Sequence, residues 1–346
     1  MPTARCHFSD GQVFDVQADP GEAFLDAALR AGAPIRYQCR SGSCLSCACR
    51  SSAEGGLCMR PGVASSLLPG EIADGRRLSC VGQLLADDEL HFDYASNDSG
   101  PAKVSAFVDN IEWMADDAVR LRVELAEGDW LDFKPGQYVR IGIPGSEETR
   151  SYSMSTTPAA LPMLEFMIRV LDQGVMSDYL RQRAQVDDVL TLTGPYGGFR
   201  WDGDRQSPQL FIAGGTGLSP IASILEQIRA TSGRKPPMTL SFGCATADNL
   251  FATDYLQLLA QWVPSLDVKI SVQDGTREGA LSGTPLDAVD FEALAPDTRA
   301  YLCGPPGMIQ AAAERLRAAG IPGDQIYQEQ FTPSDEGGEG GAAPCP

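Results

Sequence analysis

The sequence predicts a multidomain protein in which a small α+β unit is followed by an antiparallel β unit and then by a parallel α/β unit. Three observations predict this order. Four cysteines with an informative spacing lie near the N-terminus, short strands divided by Pro and Gly turns fill the middle, and strands alternate with helices towards the C-terminus. At 346 residues the chain is longer than one typical hydrophobic core requires, so several domains are expected.

Composition excludes some functional classes. The hydrophobic fraction of 43% is that of a globular protein, and no apolar run approaches the roughly 18 residues that span a bilayer. The first residues lack the apolar core of a secretory signal, so a cytoplasmic protein without membrane insertion is expected. The formal charge of −19 argues against nucleic acid as a partner. It favours either simple solubility or an acidic patch that steers a protein partner.

The N-terminal unit begins with a predicted β-hairpin. Residues 4–16 alternate between apolar and polar side chains around a turn at Asp10 and Gly11. Residues 22–31 have apolar side chains at helical spacing and are followed by Gly32, which predicts a helix that ends there. Residues 89–92 are strand-like.

Four cysteines carry the strongest chemical signal. Cys39, Cys44 and Cys47 form a C-x4-C-x2-C pattern, and Cys80 follows far downstream. This is the plant-type spacing for a [2Fe–2S] cluster. Each tetrahedral iron has two bridging sulfides and takes two protein sulfurs, so four thiolates are needed. Gly42 fits a loop whose backbone passes close to inorganic sulfur.

The remaining cysteines leave alternatives open. A structural zinc site or a disulfide pair is the competing interpretation, but zinc favours two C-x2-C knuckles and only one is present. Cys6, Cys49 and Cys58 fit no four-ligand frame and are expected to be structural. Cys49 and Cys58 nevertheless lie close enough in sequence to leave the identity of the ligands open.

The middle of the chain has the texture of an all-β domain. Residues 94–103 are small and polar and include Gly and Pro, which predicts a linker. Residues 104–108, 119–125 and 138–143 then alternate or are rich in β-branched residues. Many short strands with frequent turns predict a barrel or a sandwich.

From about residue 206 the pattern becomes strand–helix–strand. The predicted strands are residues 210–213, 238–243, 268–272 and 300–303, and the predicted helices are residues 221–229 and 254–262. Such alternation predicts a parallel, doubly wound α/β domain.

Three motifs in the β-rich part suit a flavin nucleotide. In Arg150-Ser151-Tyr152-Ser153, the arginine can pair with a pyrophosphate, the tyrosine can pack on the flavin ring and the last serine can reach its reactive nitrogen. Residues 174–180 open a predicted helix in which Ser177 is placed to cap, and a helix N-terminus suits phosphates. Residues 194–199, Gly-Pro-Tyr-Gly-Gly-Phe, predict a tight turn that bears aromatic side chains.

Two further motifs follow strands of the α/β part. Residues 214–217, Gly-Gly-Thr-Gly, can cradle a pyrophosphate with backbone amides, although they are not the G-x-G-x-x-G fingerprint. Residues 303–308, Cys-Gly-Pro-Pro-Gly-Met, follow a later strand. Loops at the carboxyl ends of parallel strands line one crevice, where ligands usually bind.

Together these motifs, in this order, resemble the reductase components of bacterial multicomponent oxygenases in the ferredoxin–NADP reductase superfamily. The resemblance is to the reductases of soluble di-iron monooxygenases and of benzoate-type dioxygenases, and it extends to residues 328–331. It implies a β-grasp plant-type [2Fe–2S] ferredoxin domain, a linker, an antiparallel Greek-key β-barrel for FAD, a doubly wound α/β domain for NAD and a flexible tail. The implied boundaries are 1–95, 96–102, 103–205, 206–333 and 334–346.

The resemblance also implies roles for single residues. Arg150 would bind flavin phosphate, Tyr152 would stack on the isoalloxazine and Ser153 would face its N5 atom. The residues that it assigns to cofactor binding are Arg150, Ser151, Tyr152, Ser153, Gly174, Met176, Ser177, Gly215, Thr216, Gly217, Cys303, Gly304, Pro305 and Phe331. Ser153, Cys303 and Phe331 would lie at the reacting rings, with Phe331 covering the flavin, and no side chain is expected to act as a nucleophile.

The implied function is electron transfer from NADH through FAD and the cluster to an oxygenase component or an intermediate carrier. NADH delivers two electrons together and a [2Fe–2S] cluster accepts one, so a flavin is needed to divide the pair. The loop after the second α/β strand contains Asp248 and no basic residue, which favours NADH over NADPH, although Arg277 could reverse this preference. The alternative is a self-contained NADH-dependent reductase that acts on a small molecule or a nucleotide sugar.

Overall fold

The N-terminal unit is a mixed five-stranded sheet with two short helices. The structure is a computed structural model that describes residues 1–42, 44–53, 55–60, 67, 69–97 and 101–330. The elements of the first unit are β1 (Thr3–His7), β2 (Val13–Gln17), α1 (Phe24–Arg30), β3 (Ala48–Ser51), β4 (Leu57–Met59), α2 (Pro69–Ala73), β5 (Arg76–Leu78), β6 (Gly82–Leu84) and β7 (Asp88–His91). The strand order is β2-β1-β7-β3-β5, and β4 pairs separately with β6.

The predicted hairpin and helix of this unit are confirmed. β1 pairs with β2 in antiparallel register and with β7 in parallel register. Helix α1 buries Phe24, Leu25 and Ala28 in the core of the unit, which also contains Leu57 and Leu90. The cysteine loop follows α1 in the chain and leads into β3, which pairs with β7 at the centre of the sheet.

The middle unit is a closed antiparallel barrel. Its elements are β8 (Ala102–Ala115), β9 (Ala118–Leu125), β10 (Tyr138–Gly142), β11 (Thr149–Ser153), β12 (Met163–Arg169), α3 (Val175–Gln182) and β13 (Val189–Tyr196). The strand order is β11-β10-β13-β8-β9-β12. An antiparallel bridge between Met154, directly after β11, and Phe166 in β12 joins the two ends of this order. Of the two predicted architectures, the barrel is therefore correct.

The prediction of a tight turn at residues 194–199 is wrong for its first half. Gly194 and Tyr196 lie within β13, where Gly194 pairs with Ala102 and Tyr196 pairs with Tyr138. A Cβ on Gly194 would lie 2.9 Å from Cγ1 of Val139. Glycine is needed at this position because two strands approach closely there. The local Gly-Pro sequence does not reveal that contact.

The C-terminal unit is a six-stranded parallel sheet. Its elements are β14 (Gln209–Gly214), α4 (Leu218–Ala230), β15 (Met238–Thr246), α5 (Thr253–Trp262), β16 (Leu266–Asp274), β17 (Leu281–Ser282), β18 (Arg299–Gly304), α6 (Pro306–Ala318) and β19 (Ile326–Gln330). The order is β17-β16-β15-β14-β18-β19. The order reverses beside β14, so the motifs after β14 and β18 lie at the topological switch point.

Both faces of this sheet are covered. Phe211 in β14 packs in one core with Ile221 of α4, whereas Ile212 packs in a second core with Ile309 of α6. Neighbouring residues of one strand thus point into different cores, as a doubly wound sheet requires. Within the described ranges no helix is both long and apolar enough to cross a bilayer.

Candidate cofactor-binding sites

The structure brings Cys39, Cys44, Cys47 and Cys80 together. The side chain of Cys39 contacts those of Cys44 and Cys80, and Cys80 also contacts Cys47. The backbone N–H groups of Ser41 and Cys44 donate to the Sγ of Cys39 at 3.4 and 3.3 Å. The loop is wound around these sulfurs by left-handed conformations at Arg40, Gly42 and Leu45.

The electrostatics of the four thiols suit a cationic centre. The contact with Cys39, together with burial, raises the pKa of Cys44, and contacts with Cys39 and Cys47 raise the pKa of Cys80. The pKa of Cys47 is lowered because the Cys80 thiol contacts it. Four adjacent thiols cannot all ionise beside one another unless positive charge is supplied, and bound iron supplies it. The donor set therefore fits a [2Fe–2S] cluster.

The three cysteines whose role the sequence left open lie outside this group of four. Cys6 and Cys49 are buried in the core of the N-terminal unit, and burial raises the pKa of Cys49. The thiol of Cys49 donates to the carbonyl of Arg77 at 3.8 Å. Cys58 is half-buried in β4. These positions are consistent with structural roles.

The Arg150–Ser153 motif forms the greater part of β11, which stands at one end of the barrel's strand order. Arg150 and Tyr152 are two residues apart and share one face of the strand, and Ser153 is buried. The guanidinium of Arg150 donates to Glu148 and to the carbonyl of Thr149. Burial raises the pKa of Tyr152, so its ring remains a neutral surface. A cationic group and an aromatic face on one edge strand fit a flavin nucleotide.

Helix α3 begins in the same unit as these residues, but not as predicted. Gly174 is the N-cap, at φ 142°, without a side-chain cap hydrogen bond. Ser177 lies within the first turn, and its hydroxyl accepts a hydrogen bond from the N–H of Leu171 at 2.9 Å. The proposed capping role of Ser177 is therefore wrong. Since Met176 is buried in the barrel core, it can reach a phosphate only through its backbone N–H.

The loops after β14 and β18 touch through glycines. A Cβ on Gly217 would collide with the carbonyl oxygen of Cys303, and one on Gly304 would lie 3.1 Å from Cα of Gly214. By contrast, Gly215 adopts φ 53° with no atom within 4 Å of its Cβ position. Helix α4 begins after Gly217 without a side-chain cap. The two loops thus form a narrow cradle that is open at Gly215 and lies at the uncapped start of α4, which fits a pyrophosphate.

The predicted pair Ser153 and Cys303 converge on a residue that the sequence did not single out, Glu329. The hydroxyl of Ser153 donates to Oε2 of Glu329 at 3.3 Å. Cys303 and Glu329 are register partners in β18 and β19. Helix α4 fixes the arrangement, because the hydroxyl of Ser219 donates to the carbonyl of Ser153 at 2.6 Å.

Burial sets the protonation of this cluster. It raises the pKa of Glu329 from 4.5 to about 8, so the carboxyl holds a proton at neutral pH. It also raises the pKa of Cys303, whose side chain is fully buried. A neutral thiol is a poor nucleophile. Glu329 is the second-to-last residue of the parallel strand β19, and a carboxyl group near the carboxyl end of such a strand is the signal that could have identified it.

The other predicted residues differ in exposure, and one of them lies outside the described residues. Ser151 is exposed on β11, and Phe331 lies outside the described residues. Thr216 is buried. In the C-terminal unit, the N–H of Ala247 donates to the carbonyl of Asp274 at 3.0 Å, so the Asp248 loop and the exposed Arg277 loop are neighbours.

The cysteine loop directly contacts the middle unit. The N–H of Gly197, which follows β13, donates to the carbonyl of Cys44 at 3.1 Å. The side-chain amide of Gln137 donates to the carbonyl of Gly197 at 2.9 Å. The ring of Tyr138 packs beside Gly197, because a Cβ there would lie 3.0 Å from Cδ1 of Tyr138. The cluster loop and β10 are therefore linked through one glycine.

Comparison with known families gives three matches in chain order. Residues 7–84 match the 2Fe-2S iron-sulfur cluster binding domain, residues 105–201 the oxidoreductase FAD-binding domain and residues 211–314 the oxidoreductase NAD-binding domain. These matches confirm the predicted cofactor classes.

Individual proteins are similar over nearly the whole length. The chain is 35% identical over 331 residues to the propane 2-monooxygenase reductase component of Mycolicibacterium goodii, covering 92% of this chain and 94% of that protein. It is 31% identical over 330 residues to the toluate 1,2-dioxygenase electron transfer component of Pseudomonas putida, covering 94% and 97%.

The fold matches solved reductases. The crystal structure of an Amycolatopsis cytochrome P450 reductase superposes with a TM-score of 0.67 at 28% identity, over 96% of this chain and 99% of that one. The ferredoxin reductase in carbazole 1,9a-dioxygenase gives 0.61 at 25% identity, over 95% and 98%. The chain therefore belongs to the reductase components of multicomponent oxygenases, oxidoreductases with 2Fe–2S, FAD-binding and NAD-binding domains.

Proposed function

We propose that this protein takes electrons from NADH and delivers them one at a time to a separate oxygenase component, directly or through an intermediate carrier. The observation that supports this most is the hydrogen bond between Gly197 and Cys44, which joins the cysteine loop to the barrel. A ferredoxin domain that rests against the flavin-binding unit suits internal electron transfer. FAD, when bound, can accept a hydride and release its electrons singly.

The chain's own residues position the partners of this transfer. We propose the boundaries 1–95, 96–102, 103–205, 206–333 and 334–346 for the ferredoxin domain, linker, flavin domain, nucleotide domain and tail. Cys39, Cys44, Cys47 and Cys80 hold the cluster. Arg150 and the start of α3 hold flavin phosphates, Tyr152 stacks on the ring, and the cradle after β14 and β18 holds the nicotinamide nucleotide.

The groups that can hold or transfer a proton lie where β11, β18 and β19 meet. Glu329 holds a proton near neutral pH and accepts a hydrogen bond from Ser153, so this pair can supply or receive a proton at the Ser153 hydroxyl. Cys303 is fully buried beside this pair and adds no charge to it. The polar pair thus lies beside β18, in which residues 300–304 are buried.

NADH is the proposed donor. Asp248 and Arg277 lie on the loops that follow the carboxyl ends of β15 and β16, and these two loops are neighbours. Asp248 suits a free ribose hydroxyl, whereas a 2′-phosphate needs a cation. Steady-state reduction of a dye with NADH and with NADPH tests the preference, and a lower kcat/KM for NADH than for NADPH would contradict it.

An anaerobic NADH titration of the purified holoprotein tests the relay. Visible absorbance reports flavin reduction, and low-temperature EPR reports the reduced cluster. We expect flavin bleaching together with a reduced [2Fe–2S] signal. Flavin reduction with a permanently silent cluster would contradict internal transfer.

The receiving partner needs a separate assay. Turnover of an added oxygenase component should depend on this protein and on NADH. Reduction of a small molecule or nucleotide sugar by this protein alone, at rates unaffected by any oxygenase, would favour the self-contained reductase instead.

A further inference from the structure

The two histidines of the chain lie side by side on the N-terminal sheet. His7 ends β1 and His91 ends β7, and they are direct partners in the parallel register. Their rings stack with centroids 4.8 Å apart at an interplanar angle of 14°. Glu89 precedes His91 by two residues and so shares its face of the strand. Three side chains that can bind a metal therefore meet on one face.

One of these groups has an unsatisfied atom. Nε2 of His7 is buried and has no hydrogen-bond partner. Its nearest acidic atom, Oε2 of Glu89, is 3.7 Å away, which is too long for a hydrogen bond. Buried polar atoms in folded proteins nearly always have a partner. When Nε2 carries no proton, this nitrogen and the carboxylate oxygen are two electron-pair donors 3.7 Å apart.

We propose that His7, Glu89 and His91 bind a divalent transition-metal ion of the zinc class. Two imidazoles and one carboxylate are a three-ligand set that leaves a fourth position for water. Imidazole favours zinc and its neighbours, whereas magnesium and calcium favour oxygen ligands. This site is separate from the cysteine loop, and its occupant would be additional to the cluster.

Metal binding requires the His91 ring to rotate, because two stacked imidazole rings have nearly parallel planes and their in-plane lone pairs do not meet at one point. The ligand atoms of the three residues lie within 4.8 Å of one another. A tetrahedral zinc with bonds of about 2.0–2.1 Å separates its ligands by about 3.4 Å. His91 and Glu89 are exposed and can change rotamer, whereas half-buried His7 supplies the fixed ligand.

Arg5 modulates the site. It lies two residues before His7 on β1, with Nη1 3.8 Å from Oε1 of Glu89. It therefore competes for the carboxylate and repels a cation. Its second partner is Asp15, whose Oδ1 is 3.6 Å from Nε of Arg5. Asp15 can retain the guanidinium when Glu89 turns to the metal.

Binding would also stabilise the sheet. β1 and β7 pair only over residues 4–7 and 88–91, and the metal would link them at the end of this pairing. An ion that binds the folded protein and not the unfolded chain raises the free energy of unfolding.

The test is equilibrium dialysis of the untagged holoprotein, with its cluster and flavin occupied, against Zn²⁺. We expect one zinc per chain that His91→Ala and Glu89→Gln each weaken by about tenfold or more. Arg5→Gln should tighten binding. Asp93→Asn is the matched control, because Asp93 is a neighbouring carboxylate with its side chain 80% exposed and is not in the ligand set. It should leave the affinity near that of the parent.

A second readout is independent of electron transfer. Zn²⁺ should raise the temperature at which the cluster absorbance is lost in the parent protein, and it should not do so in His91→Ala. Unchanged zinc uptake and unchanged stabilisation in both His91→Ala and Glu89→Gln would overturn the proposal. NADH oxidation is not used in either assay, so failure here is distinct from failure of the electron relay.

Discussion

Nη2 of Arg200 donates to Oε1 of Glu71 at 2.6 Å, across the contact between the N-terminal unit and the rest of the chain. The two side chains are 11% and 19% exposed, so the pair is largely shielded from water. Arg76 donates to the same carboxylate oxygen at 2.9 Å. Arg200 lies three residues after Gly197, whose N–H binds the carbonyl of Cys44. One short segment thus holds both helix α2 and the cysteine loop.

Breaking this ion pair should slow cluster reduction selectively. Glu71→Gln removes the charge that Arg200 needs and should weaken the contact by roughly 1–3 kcal/mol. Stopped-flow absorbance after mixing with NADH should show unchanged flavin reduction and slower reduction of the cluster. Glu112→Gln is the control, because it removes a carboxylate 2.9 Å from Arg120 on an exposed hairpin. Equal slowing of both phases in Glu71→Gln would contradict a role in domain placement.

Single cysteine substitutions should separate ligands from core thiols. Cys47→Ser should lose cluster absorbance and iron while retaining flavin, because a hydroxyl is a poor substitute for a thiolate on iron. Cys49→Ser should retain the cluster, since that thiol faces the carbonyl of Arg77 instead. Iron and sulfide analysis of the freshly purified proteins provides the measurement. Loss of the cluster in Cys49→Ser with retention in Cys47→Ser would reverse the assignment.

Glu329 should make stability depend on pH. Its pKa is raised in the folded protein from 4.5 to about 8. The proton held by the folded state therefore contributes stability that is fully present below pH 4.5 and declines as the pH rises through about 8. Glu329→Gln mimics the protonated carboxyl and should lack this decline.

The measurement is the difference in free energy of unfolding between the parent and Glu329→Gln from pH 4 to pH 9. The parent should lose stability relative to the variant across that window and show no further change above it. Ser153→Ala, which keeps the carboxyl, should keep the decline. Parallel pH profiles for the parent and Glu329→Gln would show that the buried proton is absent.

Gly217→Ala should weaken nucleotide binding. The added methyl group would collide with the carbonyl oxygen of Cys303 and push the two loops of the cradle apart. Overpacking of this kind costs about 1–3 kcal/mol, so the Kd for NAD⁺ should rise by about tenfold or more, as measured by calorimetry. Gly323→Ala is the matched control because nothing lies within 4 Å of its Cβ position and it lies outside both loops of the cradle. A similar Kd in both variants would argue against the cradle.

Sequence reasoning succeeded where a pattern was local. The spacing of Cys39, Cys44 and Cys47 predicts a single loop, and the alternation of strands and helices after residue 206 predicts the parallel sheet. It failed where distant segments decide the structure. Ser153 and Glu329 are 176 residues apart, so neither periodicity nor motif spacing could show their contact. The sequence around Gly194 suggested a turn. The residue that requires glycine there, Val139, lies on another strand, so the local sequence could not show it.

The parallel pairing of β1 with β7 constrains how this protein is made. The first strand lacks its second neighbour until the ribosome has added residue 91, and an isolated hairpin is only marginally stable before that point. Domains fold largely in order as they emerge. Cys80 and β7 leave the ribosome before the barrel strands do, so the iron centre can be assembled on a nascent chain. The finished ferredoxin domain is then available as a surface on which Gly197 and Arg200 dock.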